Sequence, residues 1–310
     1  MQMKSPFAIL ISGLSLLFIA LSALIYRSIM DISSVDTAVP SLAESNGDRA
    51  VKDTVYVGVI SRFSPNLIYE GYQPIMDYLS DATPYQFALR LSSSYEETIS
   101  QLDRGDIQAA FLGTFLYLQA RQSHPIKCLL KPLNSQFQPY FHSVLVTRAD
   151  SPIQSIADLA GKRLALPSPL SFSGNWVLKV ALQEHGLRAS DLDSVHYFGF
   201  HHTVIYEVLR GNFDAGAVKD RVAEEFTNKG IRILAVSDPI PGSPIIVKSD
   251  LDSTISNAMK TALLKIDIRN PEDKKIVKNW DPEFFFGFTI AQDTDYDQME
   301  SILTASEELP

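Results

Sequence analysis

The sequence predicts an α/β fold of two lobes, preceded by an N-terminal transmembrane helix. Apolar strands alternate with helices from about residue 54 onward, and this alternation restarts after Ala149. Two extended apolar stretches without helical spacing lie where the two halves meet. Strands and helices that alternate at this spacing are typical of a mostly parallel sheet with helices on its faces. A chain of 310 residues is long enough for two such lobes.

The N-terminal segment predicts export. No charged residue occurs between Phe7 and Tyr26, and at about 1.5 Å per residue a helix here would just span a hydrocarbon core of about 30 Å. We therefore expect a membrane anchor over residues 1–30 and a tether, rich in Ser, Asp and Ala, over residues 31–53. A cleaved signal peptide is the alternative, although its apolar region would be shorter. Both interpretations, the anchor and the signal peptide, place the rest of the chain on the extracytoplasmic side of the inner membrane.

The first part of the folded body carries three strand and helix pairs. Each strand is a short apolar run, and the helices show apolar residues on one face or a glycine at one end. The predicted strands are 55–60, 87–91 and 109–112, and the helices are one that includes Tyr72 to Leu79, one over 95–104 and one that opens at 113–115 and ends at 121.

The second part repeats this pattern. Strands are predicted at 163–166, 194–198, 214–218 and 231–236, with helices at about 171–184 and 203–210. The extended stretches at 142–147 and 243–247 are interpreted as two crossings between lobes, and such a pair is a hinge candidate. Lobe 1 is then 54–145 with 246–310, lobe 2 is 146–245, and a ligand cleft lies between them.

One helix start in the second part has the residues of an anion site. The strand at 163–166 is followed by a proline-rich turn and by a helix that begins near Ser171. The first turn of a helix leaves about four backbone N–H groups without partners and carries about half a positive charge, which suits a small oxyanion. Ser171, Ser173 and Gly174 lie at this turn. An ordinary serine N-cap is the alternative.

Composition argues against several other classes of function. The net charge of -9 and the absence of a Lys/Arg block argue against nucleic acid as a partner. The single cysteine, Cys128, excludes an intrachain disulfide. His201 and His202 lack further ligands at a suitable spacing, so we expect no metal, and no cofactor is indicated. Ser173, His201 and Asp220 have the residue types of a hydrolase triad, but no Gly-x-Ser-x-Gly motif accompanies them.

Several short stretches, in the same order along residues 55 to 295, resemble one known family. The chain looks like a periplasmic substrate-binding protein of the phosphonate, phosphite and phosphate family that serves ABC importers, with the type II periplasmic-binding-protein fold. The matching stretches are 72–74, 78–80, 94–97, 105–114, 150–153, 158–162, 171–174, His201, 211–218, 280–282 and 287–288.

The resemblance implies a set of binding residues. Hydroxyls of Ser171 and Ser173, with the amides of Ser173 and Gly174, would hold the oxyanion. Phe172 stands where the family usually has Thr, which removes a hydroxyl or supplies an apolar wall. Further residues expected at the ligand are Tyr95, Thr114, Phe115 and His201.

The loop after the first strand contributes two more candidates. Ser61 and Arg62 lie where they can face the cleft, although a loop arginine is equally suited to solvent. Family members that bind aminoalkyl phosphonates add carboxylates for the amine. Asp220 is the only candidate here, and a helix cap is its alternative role.

The resulting prediction is capture without catalysis. A small phosphorus oxyanion, namely phosphonate, phosphite or phosphate, would bind between the lobes, and the closed form would be recognised by the permease of an ABC importer. The first alternative is the same binding protein serving a membrane sensor. The others are an exported phosphate-ester hydrolase and a binding fold that has lost its ligand and acts as an interaction module.

Overall fold

A computed structural model describes residues 52–300 and contains two mixed β-sheets, one in each lobe. The predicted anchor over residues 1–30 and nearly all of the predicted tether lie outside the described residues. No helix within residues 52–300 is both long and apolar enough to cross a membrane.

The lobe 1 sheet has the strand order β13-β4-β12-β3-β1-β2. Strands β1, β2 and β3 pair in parallel, and β12, β4 and β13 pair antiparallel to their neighbours. The bounds are β1 (Thr54–Val59), β2 (Gln86–Leu91), β3 (Ala109–Phe111), β4 (Ile126–Pro132), β12 (Ile245–Lys248) and β13 (Phe288–Ile290).

The lobe 2 sheet has the order β10-β6-β9-β7-β8. Strand β7 pairs in parallel with β8 and β9, whereas β6 is antiparallel to β9 and β10. The bounds are β6 (Ser143–Arg148), β7 (Arg163–Leu166), β8 (Ser194–Tyr197), β9 (Ala215–Lys219) and β10 (Ile231–Val236).

The prediction that both sheets are mostly parallel is therefore wrong in part. In each lobe three strands joined by helical connections are parallel, as the alternation predicts. Strands on either side of a lobe crossing, such as β6 and β12, enter their sheets antiparallel to a neighbour. Because these strands follow turns or loops and not a crossover helix, nothing in their connections requires parallel pairing.

Helices cover both faces of each sheet, so each lobe has apolar clusters on two sides. The helices are α1 (Pro65–Ala82), α2 (Tyr95–Arg104), α3 (Thr114–Ala120), α4 (Phe172–Trp176, continued by π-helical Val177–Ala181 and by Leu182–Glu184), α5 (His201–Leu209), α6 (Asp220–Glu224), α7 (Ser253–Leu264) and α8 (Pro271–Ile276).

The chain crosses between lobes at a short pair of strands. β5 (Tyr140–Phe141) and β11 (Ile240–Pro241) pair antiparallel with each other. Each of them lies a few residues before the strand that enters the next sheet. Strand β6 belongs wholly to the lobe 2 sheet and contains the predicted boundary at 145/146, so the described strands place the first crossing slightly earlier.

Candidate ligand-binding site

A small cavity of about 40 Å³ lies between the two lobes. It is far smaller than the volume of about 300–1,000 Å³ that holds a drug-sized ligand, but it exceeds the space that one water needs. Its walls come from both lobes and from β5. They are formed by Ile60, Arg62, Phe63, Tyr95, Gly113, Thr114, Phe141, Leu170, Ser171, Phe172, Ser173, His201, Lys219, Arg221, Val222 and Ser243.

The start of α4 presents unused donors to this cavity. Ser171 has the extended backbone of an N-cap residue but makes no side-chain cap hydrogen bond. Its Oγ instead lies 3.4 Å from Nε2 of His201. The amides of Ser173 and Gly174 fall in the first helical turn, where no intrahelical acceptor exists. The hydroxyl expected of an ordinary cap therefore lines the cavity together with the positive end of the helix.

Ser173 is buried at the same turn, with 1% of its surface exposed. The hydroxyl of Ser143, the first residue of β6, donates to Ser173 Oγ at 3.0 Å. Since Ser173 Oγ accepts this bond, its own proton is available to a ligand oxygen. Strand β6 thereby orients a hydroxyl on α4.

His201, at the start of α5, is a neutral donor. Its Nδ1 accepts a hydrogen bond from the Lys219 amide at 3.3 Å, so the ring proton resides on Nε2, which faces Ser171. Burial, together with the nearby charges of Arg62 and Lys219, lowers the pKa of His201 to about 3. The imidazole therefore stays uncharged at neutral pH. We call Ser171, Ser173 and His201 the polar wall.

Tyr95 and Thr114 face the polar wall from lobe 1. Burial raises the pKa of the Tyr95 phenol, so it stays protonated and able to donate. The Thr114 hydroxyl donates to the carbonyl of Pro241 in β11 at 2.9 Å. Thr114 therefore links the first turn of α3 to the lobe crossing, and its proton is already used.

Five charged residues meet beside the cavity, and we call them the charged cluster: Arg62, Lys219, Arg221, Asp281 and Glu283. Glu283 forms ion pairs with both Arg62 and Lys219. Asp281 lies 3.9 Å from Arg62 and 3.7 Å from Arg221. Because Lys219 and Arg221 belong to lobe 2 while Asp281 and Glu283 belong to lobe 1, the Lys219–Glu283 and Arg221–Asp281 pairs join the lobes.

The members of this cluster determine one another's ionisation. Burial alone would raise the pKa of Glu283, but Arg62, Lys219 and Arg221 together hold it well below its usual range. Burial lowers the pKa of Lys219, and Glu283 opposes that shift. The ammonium of Lys219 also lies 4.0 Å from the centre of the Phe141 ring and 3.2 Å from Ser243 Oγ. Lys219 is thus fixed between an anion, an aromatic face and a hydroxyl.

Most of the predicted site residues come together in this cavity, and three do not line it. Those in its walls are Arg62, Tyr95, Thr114, Ser171, Phe172, Ser173 and His201. Ser61 is partly exposed beside it. Phe115 packs into the apolar cluster of lobe 2, where its ring lies 5.2 Å from the Lys179 ammonium. Gly174 is buried in the first turn of α4 and contributes its amide to the helix start.

The solvent-exposed alternative for Arg62 does not apply, because only 6% of this residue is exposed. One of its terminal nitrogens donates to the hydroxyl of Tyr72, a core residue of α1. Phe172 is buried in the cavity wall, with its ring 6.4 Å from that of Phe141. It therefore supplies an apolar surface to the cavity.

Ser173, His201 and Asp220, which have the residue types of a hydrolase triad, do not form one. His201 Nε2 faces Ser171 and not Ser173, and its Nδ1 accepts from the Lys219 amide. The Asp220 carboxylate accepts instead from the His142 amide at 2.8 Å and from the Arg221 amide at 2.8 Å. Asp220 therefore links α6 to the residue that precedes β6. His202 points away from His201 and pairs with Glu225 at 3.0 Å.

Sequence reasoning missed Lys219, Arg221, Asp281, Glu283 and Phe141. Lys219 ends β9, which is parallel to β7, and ligands gather at the carboxyl ends of such strands. The position of Lys219 at the carboxyl end of a predicted parallel strand could therefore have identified it. Glu283 lies in the short helical turn Pro282–Phe284 and Asp281 caps that turn, and no local pattern places either residue at the cleft.

Comparison with known proteins identifies the family. The family model for the periplasmic substrate-binding protein of phosphonate ABC transporters matches residues 57–296. The chain belongs to this family. It is the substrate-binding component of an ABC transport system, and its fold is that of two-lobed periplasmic binding proteins.

Individual relatives are distant but match most of the binding protein. The phosphate-import protein PhnD of Mycolicibacterium smegmatis is 23% identical over 281 residues, which is 82% of this chain and 87% of the relative. PhnD1 of Prochlorococcus marinus in complex with methylphosphonate has a TM-score of 0.73 at 18% identity, covering 83% of this chain and 99% of that one.

A binding-protein component of an ABC phosphonate transporter from Pseudomonas aeruginosa has a TM-score of 0.72 at 17% identity, covering 82% and 87% of the two chains. At these identities the solved structures establish the shared fold.

Proposed function

We propose that this binding protein captures a small phosphorus oxyanion, namely phosphonate, phosphite or phosphate, in the cavity between its lobes. One observation carries the proposal: the Ser171 hydroxyl leaves its own helix uncapped and lines a small cavity at the helix start. Ser173, Tyr95 and His201 add donors around the same space. The relatives support this ligand class, since one imports phosphate and another was solved with methylphosphonate.

Binding follows from donors that are already in place. The anion gives up hydration and receives hydrogen bonds from the polar wall, from Tyr95 and from the first-turn amides of α4. A hydrogen bond to a charged group contributes about 1.5–3 kcal/mol. The polar wall belongs to lobe 2 and Tyr95 to lobe 1, so one ligand contacts both lobes and favours their closed arrangement.

The closed form is what the transporter recognises. We place the protein on the extracytoplasmic face of the inner membrane, attached through residues 1–30 and tethered through residues 31–53. Its partner is then the permease of the importer. Catalysis is not part of this proposal, because Ser173, His201 and Asp220 make other contacts.

Thermal unfolding with phosphate, phosphite, methylphosphonate and sulfate tests the proposal. A ligand at 100 times its dissociation constant stabilises the folded state by about 2.7 kcal/mol, which a melting curve detects easily. We expect stabilisation by at least one phosphorus oxyanion and a smaller stabilisation in Ser171→Ala. Absence of any shift contradicts the proposal. Release of phosphate from a phosphate ester by the wild-type protein, lost in Ser173→Ala, would support a hydrolase instead.

A further inference from the structure

The cations that line the small cavity are already paired with carboxylates of the chain. Arg62 and Lys219 both pair with Glu283. Arg221 lies 3.7 Å from Asp281 and 3.3 Å from Glu225. Of the lining residues, all of which are described, these three carry the positive charge. An incoming anion therefore meets cations that each already have a carboxylate within ion-pair distance.

The carboxylates lie directly behind these cations. Asp281 and Glu283 are 5% and 7% exposed and do not line the small cavity. Because the neighbouring cations keep Glu283 ionised, its negative charge remains close to any bound anion. Charges interact more strongly in such a desolvated site than in water.

The remaining donors of the cavity are uncharged. Ser171 and Ser173 are hydroxyls, Tyr95 is protonated and His201 is neutral. Neutral donors stabilise an anion through hydrogen bonds, but they do not cancel a full second charge. A buried charge without a counter-charge is costly.

We propose that Glu283 determines the ligand charge that this site accepts, so that a singly charged oxyanion binds in preference to a doubly charged one of the same shape. This inference rests on the proposed function and narrows its ligand class. A phosphonate would bind as its monoanion. Phosphinate and sulfonate groups, which carry one charge at every pH above their acidic range, would bind without this restriction.

Several ionisable groups face the charged cluster from the elements packed around it, and their titration must be separated from that of the ligand. They are Arg62 after β1, Tyr72 on α1, Tyr95 on α2, His201 on α5, Lys219 at the end of β9, Asp220 and Arg221 on α6, and Asp281 beside Glu283. For a ligand that keeps one charge at every pH of the experiment, any change of affinity with pH comes from these protein groups alone.

Calorimetric titration of the full chain with three small ligands of similar size provides this separation. Methylphosphonate loses its second proton near neutral pH, as phosphate esters do at about 6, whereas methylphosphinate and methanesulfonate stay singly charged. We expect the dissociation constant of methylphosphonate, divided by that of a non-titrating ligand, to rise at least about tenfold between about pH 5.5 and about pH 8.5. A ratio that stays constant or falls overturns the inference.

Variants then test Glu283 itself. Glu283→Gln keeps the shape and a hydrogen-bond acceptor for Lys219 but removes the charge, so the rise of the ratio should shrink to below about threefold. Asp281→Asn provides the same test if Glu283→Gln unfolds, because Asn also caps the turn at Pro282. Glu224→Gln is the matched control: this exposed carboxylate lines the neighbouring larger cavity and has no ion pair among the described residues, so the full rise should remain.

The possible failures are distinguishable. If none of these ligands nor phosphate or phosphite binds, the proposed function fails. If they bind and Glu283→Gln retains the wild-type rise of the ratio, only the role of Glu283 fails.

Discussion

The polar wall and the charged cluster border the same cavity but differ in how they are built. The polar wall consists of neutral groups, and two of its three members lie on one helical turn. The charged cluster combines residues from three distant parts of the chain and from both lobes. In our proposal the two regions have different roles: the neutral donors bind the ligand, while the paired charges join the lobes and set the charge that the site accepts.

The largest effect should come from breaking the charged cluster. Arg62→Met keeps an apolar stem but leaves Glu283 with Lys219 as its remaining close partner. Removal of one partner from a buried ion pair destabilises by about 3–5 kcal/mol. Urea unfolding of the variant measures this loss. A loss below about 1 kcal/mol, the range of a surface ion pair, would show that the cluster contributes little to stability.

A change in the polar wall should affect binding more than folding. Ser171→Ala removes a ligand hydroxyl that does not cap its helix, so affinity should fall by about 1.5–3 kcal/mol with little change in the unfolding midpoint. Asn270→Ala is the control, since Asn270 caps α8 by accepting from Glu272. There, unfolding should become easier by about 1 kcal/mol and affinity should stay constant. Destabilised Ser171→Ala with unchanged affinity would assign Ser171 to capping.

Acid should destabilise the protein through His201. Its folded pKa of about 3 lies below the unfolded value of 6.5, so this contribution to stability is present above about pH 6.5 and is lost as pH falls toward about 3. The unfolded chain binds one more proton in this window, which gives a slope of up to about 1.4 kcal/mol per pH unit.

Urea unfolding of wild type and His201→Gln across this window measures the slope. It should be shallower in the variant, although Glu283, whose pKa is also lowered, adds a loss of the same sign at lower pH. Equal slopes in the two proteins would show that His201 titrates normally.

The smallest effect is expected at the outer surface. Lys275 and Glu272 pair at 2.8 Å on α8 with both side chains more than two-thirds exposed. Solvent screens such pairs, so Lys275→Ala should leave the urea midpoint within experimental error. If this variant matches Arg62→Met in its effect, burial is not what distinguishes the charged cluster.

The contrast between the polar wall and the charged cluster also explains which features of the site the sequence could predict. The strand, turn and helix around β7 and α4 are local, so the Ser171 helix start and the alternation of elements were readable from neighbouring residues. Arg62 was found because it follows a strand, but its burial depends on Glu283, more than two hundred positions away. Antiparallel strands at the lobe crossings were missed because apolar runs do not encode pairing direction.

The pairing of β5 with β11 has a mechanical consequence. Two connections that run side by side and share hydrogen bonds form a hinge about which the lobes can rotate. Since Phe141 of β5 also forms part of the cavity wall, that rotation is coupled directly to the space in which the ligand is held.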